Sequence, residues 1–354
     1  MGEEKEQTNK ETKKKRKEKK RREESGNLYS KMFKTQGFSC FSVAFSPYEN
    51  EFIALAASQH YGIVGAGRLI ILAPPPPPTQ QPQQDVPLQP VAVYDSPNSI
   101  VDCAWSELNQ NQVIAACGDR TVKMYDMTVP GRPIRVYAEH GREVNGVHWN
   151  LAHKQTFLSA SWDDTVKVWS PERPSSIATF HEHRNSVHCA MWSPYNPDMI
   201  ASGGGDALIK LWDAKVPTSV GTIPGHTGEV LSVDWNKYNE NILASSSVDK
   251  TVRIWDIRAV QRGPVSVLAG HKLAVRRVKW SPFTENIIAS TSYDLTMALW
   301  DITRTPSAPI DVFARHTEFV VGVDWSLNVE NRIATCGWDD SVYVFTPRPF
   351  LTLH

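Results

Sequence analysis

The chain has 354 residues, 41% of them hydrophobic, and its 38 Lys/Arg balance 38 Asp/Glu. That composition can bury a large core, and zero formal charge excludes a whole-molecule pull toward nucleic acid or a membrane surface. Five cysteines (Cys40, Cys103, Cys117, Cys189, Cys336) form no CxxC pair and read as reduced, small apolar residues of a cytosolic protein.

No secretory h-region opens the chain, and no apolar run approaches the ~18–20 residues of a bilayer span. Residues 1–24 hold eleven Lys/Arg against seven Glu, a net of +4, which leaves −4 for the rest. Residues 1–25 cannot bury a core and are predicted to be a disordered, solvated basic tail. Tyr29–Lys34 reads as a short strand. Phe41-Ser-Val-Ala-Phe45, Ile53-Ala-Leu-Ala56 and Arg68-Leu-Ile-Ile-Leu72 then read as three strands. Residues 74–90, rich in Pro and Gln, are predicted to be an extended inserted loop.

From there the chain repeats. Ten of twelve tryptophans fall in two registers: Trp105, Trp149, Trp192, Trp235, Trp280, Trp325, and Tyr125, Trp169, Trp212, Trp255, Trp300, Phe345. Steps in both are 44, 43, 43, 45 and 45, and partners are always 20 apart. Trp-Asp stands at 212, 255 and 300. A period of about 40–45 residues ending in Trp-Asp is the signature of a propeller blade. The unit before Trp105 is the same with seven extra residues, Phe45 to Leu72 being 27, and the excess falls in Gln59–Gly67. The prediction is an all-β, seven-bladed WD-repeat β-propeller over 26–347, with 348–354 as a C-terminal tail.

Twelve residues before each first anchor stands an apolar residue: Phe33, Val93, Tyr137, Phe180, Ile223, Leu268, Phe313. These mark the outer strands. Pro347 and Pro349 prevent the C-terminus from supplying the last one, so the N-terminal segment is predicted to complete the last blade and close the ring.

His140, Ser161, Asp163 and Trp169 recur as His226, Ser247, Asp249, Trp255 and as His271, Ser292, Asp294, Trp300. Catalysis needs such a set once. The recurrence predicts buried hydrogen-bond chains from Asp through His and Ser to the indole N–H. On this pattern the chain is broken where Gly204 and Gly337 replace Ser. No phosphate-binding, zinc-protease or nucleophile-elbow motif is present, His181-Glu-His183 reads as a loop pair, and neither an enzyme nor a cofactor is implied.

The His loops and Asp turns share one rim. Six residues before each first anchor stand Ser39, Ser99, Glu143, Ser186, Glu229, Ala274 and Phe319; before each turn Asp stand Gly118, Trp162, Gly205, Val248, Tyr293 and Trp338. The rim therefore gathers two carboxylates and four large aromatics, with Trp162 and Trp338 as exposed indoles without a core role. Such a surface suits a ligand with a basic end and apolar side chains on one face.

Ser58-Gln-His-Tyr-Gly-Ile-Val-Gly-Ala-Gly-Arg-Leu-Ile-Ile-Leu72, Ser161-Trp-Asp-Asp-Thr-Val-Lys-Val-Trp169, Val233-Asp-Trp-Asn-Lys-Tyr-Asn-Glu-Asn-Ile-Leu243 and His316-Thr-Glu-Phe-Val-Val-Gly-Val-Asp-Trp-Ser-Leu327 are not generic to propellers. Over about residues 32–346 they resemble the peroxin-7 family, WD-repeat receptors for the type-2 peroxisomal targeting signal. The resemblance implies cargo proteins carrying an N-terminal amphipathic nonapeptide, with Glu143 and Glu229 on its basic residue and Trp162, Ser186, Tyr293, Phe319 and Trp338 around it. It also implies a co-receptor (the long type-1 signal receptor or an equivalent), peroxisomal docking proteins, a monomer until these bind, and shuttling between cytoplasm and peroxisome. No nucleic-acid partner and no membrane insertion are implied. Trp255-Asp-Ile-Arg258 also fits the short WDxR motif of substrate receptors of cullin-type ubiquitin ligases, the rival reading.

Overall fold

The computed structural model describes residues 31–74, 88–304 and 308–350. The basic segment 1–25, Tyr29 and Ser30, most of the Pro/Gln loop (75–87) and the last four residues of the predicted tail lie outside the described residues.

Seven four-stranded antiparallel sheets follow one another around a ring. The inner strands are Ser39–Phe45, Ile100–Trp105, Val144–Trp149, Val187–Trp192, Val230–Trp235, Val275–Trp280 and Val320–Trp325, and they open blades 1 to 7. The ring closes as expected. Lys31–Lys34 pairs antiparallel with Ser341–Phe345 of blade 7, Phe33 opposite Val342.

The core consists of clusters between neighbouring blades. One joins Leu158, Val166 and Phe180 of blade 3 to Val187, Trp192 and Trp212 of blade 4; another joins Val43 and Leu55 of blade 1 to Cys336 and Val342 of blade 7. A blade has too little apolar area to be stable by itself, so each is held by both neighbours. Inner-strand carboxylates add to this: Asp102, Asp234 and Asp324 each accept an N–H from the next blade, of Val147, Trp280 and Phe45, at 3.1, 2.7 and 2.8 Å. Across the channel, Arg277 of blade 6 reaches Asp102 of blade 2 at 3.0 Å and Ser42 of blade 1 at 3.2 Å. All five cysteines are free, and burial pushes the Cys40 thiol up to about 12.

Two details depart from the sequence pattern. First, the buried outer-strand residue before blade 2 is Tyr94, 2% accessible, while Val93 is exposed. Tyr94 stands six positions before Ile100, against seven from Tyr137 to Val144, so the shorter link shifts the strand by one and swaps its faces. Tyr94 then donates its hydroxyl to Asp126 O at 2.8 Å. Second, every inner strand carries a bulge, as between Val144 and Gly146. It lifts one residue per blade out of the ladder near the rim and re-aims it. Phe41 and His188 are two of these. Beyond Pro347, the turn Arg348–Phe350 packs on blade 6, Arg348 Nη2 lying 2.6 Å from Asp311 Oδ1.

Candidate functional site

The rim depends on its turns, and the turns depend on the histidine network. His140, His226 and His271 lie 2.8, 2.8 and 2.9 Å through Nδ1 from Asp163, Asp249 and Asp294. His183–Asp206 and His316–Asp339 are 3.0 Å. Each carboxylate also accepts the N–H after its histidine, as from Gly141 at 2.8 Å. Burial alone would raise these carboxyls, but the bonds from His, Thr and backbone N–H outweigh it and hold Asp163, Asp249 and Asp294 well below the usual range, with Asp206 and Asp339 lowered too. An ionised Asp accepts from Nδ1–H. Nε2 is then an acceptor.

The serine in the chain differs from the expected one. His140 Nε2 lies 2.7 Å from Ser159 Oγ, and Trp169 Nε1–H donates to the same oxygen at 2.8 Å. Ser245 and Ser290 do this in blades 5 and 6. Ser161, the expected member, donates instead to Glu143 O at 2.8 Å and accepts the Asp163 N–H. Ser159 and Ser161 share one face of a strand, so alternation cannot separate them. The Trp lies opposite Phe157, at the end of the strand away from the turn, and only the residue farther from the turn touches both His and Trp. Blade 4 is therefore complete despite Gly204: Ser202 Oγ lies 2.8 Å from both His183 Nε2 and Trp212 Nε1. In blade 7 Thr335 takes the position, 3.1 Å from His316 Nε2, and Phe345 has no N–H to add.

The two rim series are bonded to each other. Trp162 N–H donates to Glu143 O at 3.0 Å, Gly205 to Ser186 at 2.8 Å, Val248 to Glu229 at 3.0 Å, Tyr293 to Ala274 at 3.1 Å and Trp338 to Phe319 at 2.9 Å. One pair per blade divides the rim into two arcs. Blades 3 to 5 carry Glu143 and Trp162, both exposed, then Ser186 and Glu229. Glu229 Oε2 lies 2.9 Å from Nε2 of His188, whose pKa is lowered by burial and by Arg276, so a neutral imidazole donates to the carboxylate.

Blades 6, 7 and 1 carry the aromatic arc. Tyr293 stacks on Phe319 at 4.7 Å, Phe319 meets Trp338 at 5.2 Å, and Trp338 meets Phe41 at 5.6 Å and Tyr61 at 5.3 Å. Trp338 is therefore not an exposed indole without a core role. It is half-buried against the blade 1–blade 7 cluster, because the longer blade-1 loop brings Tyr61 onto it. Trp162, at 37% accessible, is exposed as expected. Tyr61, Phe41 and His188 reach the rim although they belong to neither sequence series. The extra residues of blade 1 marked Tyr61; nothing marked the bulge that turns Phe41 and His188 toward the rim. A cavity of about 190 Å³ opens at the other end of the channel, beside Leu151, Pro282 and Leu327.

The family model described as EIPR1 beta-propeller matches residues 173–300, and that described as WD domain, G-beta repeat matches 88–126, 131–170 and 307–346. The chain is similar to the peroxisomal targeting signal 2 receptor of Dictyostelium discoideum, 42% identical over 141 residues (39% of this chain, 42% of that protein). It is 44% identical over 142 residues to peroxisome biogenesis protein 7 of Arabidopsis thaliana (40% and 43%), and 38% identical over 152 residues to the Homo sapiens peroxisomal targeting signal 2 receptor (43% and 44%). The chain spans about two fifths of the length of the curated relatives it matches. Two of these three relatives are named as receptors, and the repeated His–Ser–Trp sets are structural networks. The chain is a seven-bladed WD-repeat β-propeller, and its relatives from Dictyostelium discoideum and Homo sapiens are named as receptors for peroxisomal targeting signal 2.

Proposed function

We propose that the chain is an import receptor that binds the N-terminal type-2 peroxisomal targeting signal of cargo proteins on its His/Asp rim. The observation that carries this reading is the division of one rim into an acidic arc, Glu143 and Glu229, and an aromatic arc, Tyr293, Phe319 and Trp338. A helix laid across the mouth would set its basic end over the carboxylates and its apolar face on the rings. Trp162 and Ser186 flank the carboxylates. The names of the relatives support the same ligand class. In this reading a co-receptor and peroxisomal docking proteins join the loaded receptor, which is monomeric until then and moves between cytoplasm and peroxisome.

The ubiquitin-ligase reading draws no support from Arg258. Its guanidinium is bonded to Asp256 two residues away, at 3.0 and 2.7 Å, as a brace of its own turn.

The test is titration of a fluorescent peptide with an Arg-Leu start and a His-Leu end. A charge-assisted hydrogen bond contributes about 1.5–3 kcal/mol. Glu143→Arg with Glu229→Arg removes two and adds repulsion, so affinity is expected to fall by at least about a hundredfold with the fold retained and only the small drop in melting temperature that loss of the His188–Glu229 bond brings. Unaltered affinity removes both residues from the site.

A further inference from the structure

The blade-1 loop Gln59–Gly67 is an ordered element that the site above leaves almost unused. It closes on itself: Gln59 N–H donates to Ala66 O at 2.9 Å, and Ala66 N–H donates to Gln59 Oε1 at 3.1 Å. His60 and Tyr61 occupy left-handed backbone at φ 45° and 56°, ahead of Gly62 at 73°. Non-glycine residues in that region carry strain, which concentrates where a surface is held in place for a ligand. The loop rests on the aromatic arc. A Cβ on Gly62 would come within 3.0 Å of the Phe41 ring, and the Tyr61 ring centroid lies 5.3 Å from that of Trp338. Beyond this anchor stand Ile63 and Val64, 81% and 64% accessible, and Ile63 is the most exposed large apolar side chain among the described residues. The loop contains no Lys, Arg, Asp or Glu.

We infer that this loop is a specificity wall of the signal site, with Tyr61, Ile63 and Val64 covering the apolar side chains of the bound helix. The inference rests on the receptor reading and adds the element that would select an apolar over a polar ligand face. The occupant is assigned from continuity: the tip prolongs the floor made by Phe41 and Trp338, and a rigid, uncharged apolar wall matches the ligand's apolar face and not its basic end.

The test uses the full chain and the same fluorescent peptide, with a second peptide whose two leucines are alanines. Ile63→Asp with Val64→Asp is expected to weaken the leucine peptide at least about tenfold, or 1.4 kcal/mol. The alanine peptide should lose little further affinity, and the melting temperature should hold because both side chains point to solvent. Wild-type affinity in the variant, or equal losses on both peptides, overturns the inference. So does a wild-type dimer in sedimentation that the variant loses while peptide affinity stays the same. If the wild-type chain binds neither peptide, the receptor reading fails and this inference falls with it; retained binding by the loop variant overturns the wall alone.

Discussion

Ser202→Ala tests which hydroxyl carries the network of blade 4. Ser202 is fully buried, as is Trp212, and His183 is 4% accessible. Its hydroxyl donates to His183 Nε2 and accepts from Trp212 Nε1, both at 2.8 Å. Alanine strands one acceptor and one donor. The ring centroids of His183 and Trp212 are 6.1 Å apart, so the two groups cannot bond directly. Each buried group left without a partner costs about 1–3 kcal/mol, which gives a loss of about 2–6 kcal/mol. At roughly 2 °C per kcal/mol for a chain of this size, the melting temperature drops by about 4–12 °C. The assay is urea unfolding, with NMR exchange of the Trp212 indole proton as the local report. Loss of indole protection together with the drop in midpoint is the expected result. A change under about 0.5 kcal/mol, the range of ordinary surface substitutions, with the indole proton still protected, would refute the assignment of Ser202 to the chain.

Two further outcomes follow from the ring and its turns. Deleting residues 31–35 removes four paired positions on blade 7 and the half-buried Phe33; ladder bonds at about 1 kcal/mol each and part of one Phe side chain amount to about 5 kcal/mol, read as a melting temperature at least about 8 °C lower. Equal melting with and without the strand would overturn closure. The pH dependence follows from the five turn aspartates, whose folded pKa values lie below their unfolded ones. Their contribution is fully present above the unfolded carboxylate range near ~4 and is lost as pH falls through the folded values, because the unfolded chain binds more protons there. Urea midpoints should already decline between about pH 7 and 5, where the unfolded chain protonates His148 and His188 that burial keeps neutral in the fold, and fall further below about pH 4, that second fall being gentler in Asp249→Asn; identical curves for variant and wild type would contradict the linkage.

The repeat period, the blade count, the N-terminal closing strand and the composition of the rim were all legible in the sequence. Period-2 strands, fixed aromatic spacing and His–Asp pairs are local features that each blade repeats, so errors in one are corrected by the next. Four features were not legible. Ser159 and Ser161 lie on the same strand face, and only the distance to Trp169 across the sheet chooses between them. The shift from Val93 to Tyr94 comes from one missing residue in a link, which acts through strand pairing. The bulge that lifts Phe41 and His188, and the blade-1 loop that sets Tyr61 on Trp338, join residues up to 297 apart in the chain. Sequence determines which side chains each blade presents. Only closure of the ring, which brings blade 7 against blade 1, decides that Phe41 and Tyr61 join Tyr293, Phe319 and Trp338 in one arc apart from the carboxylates.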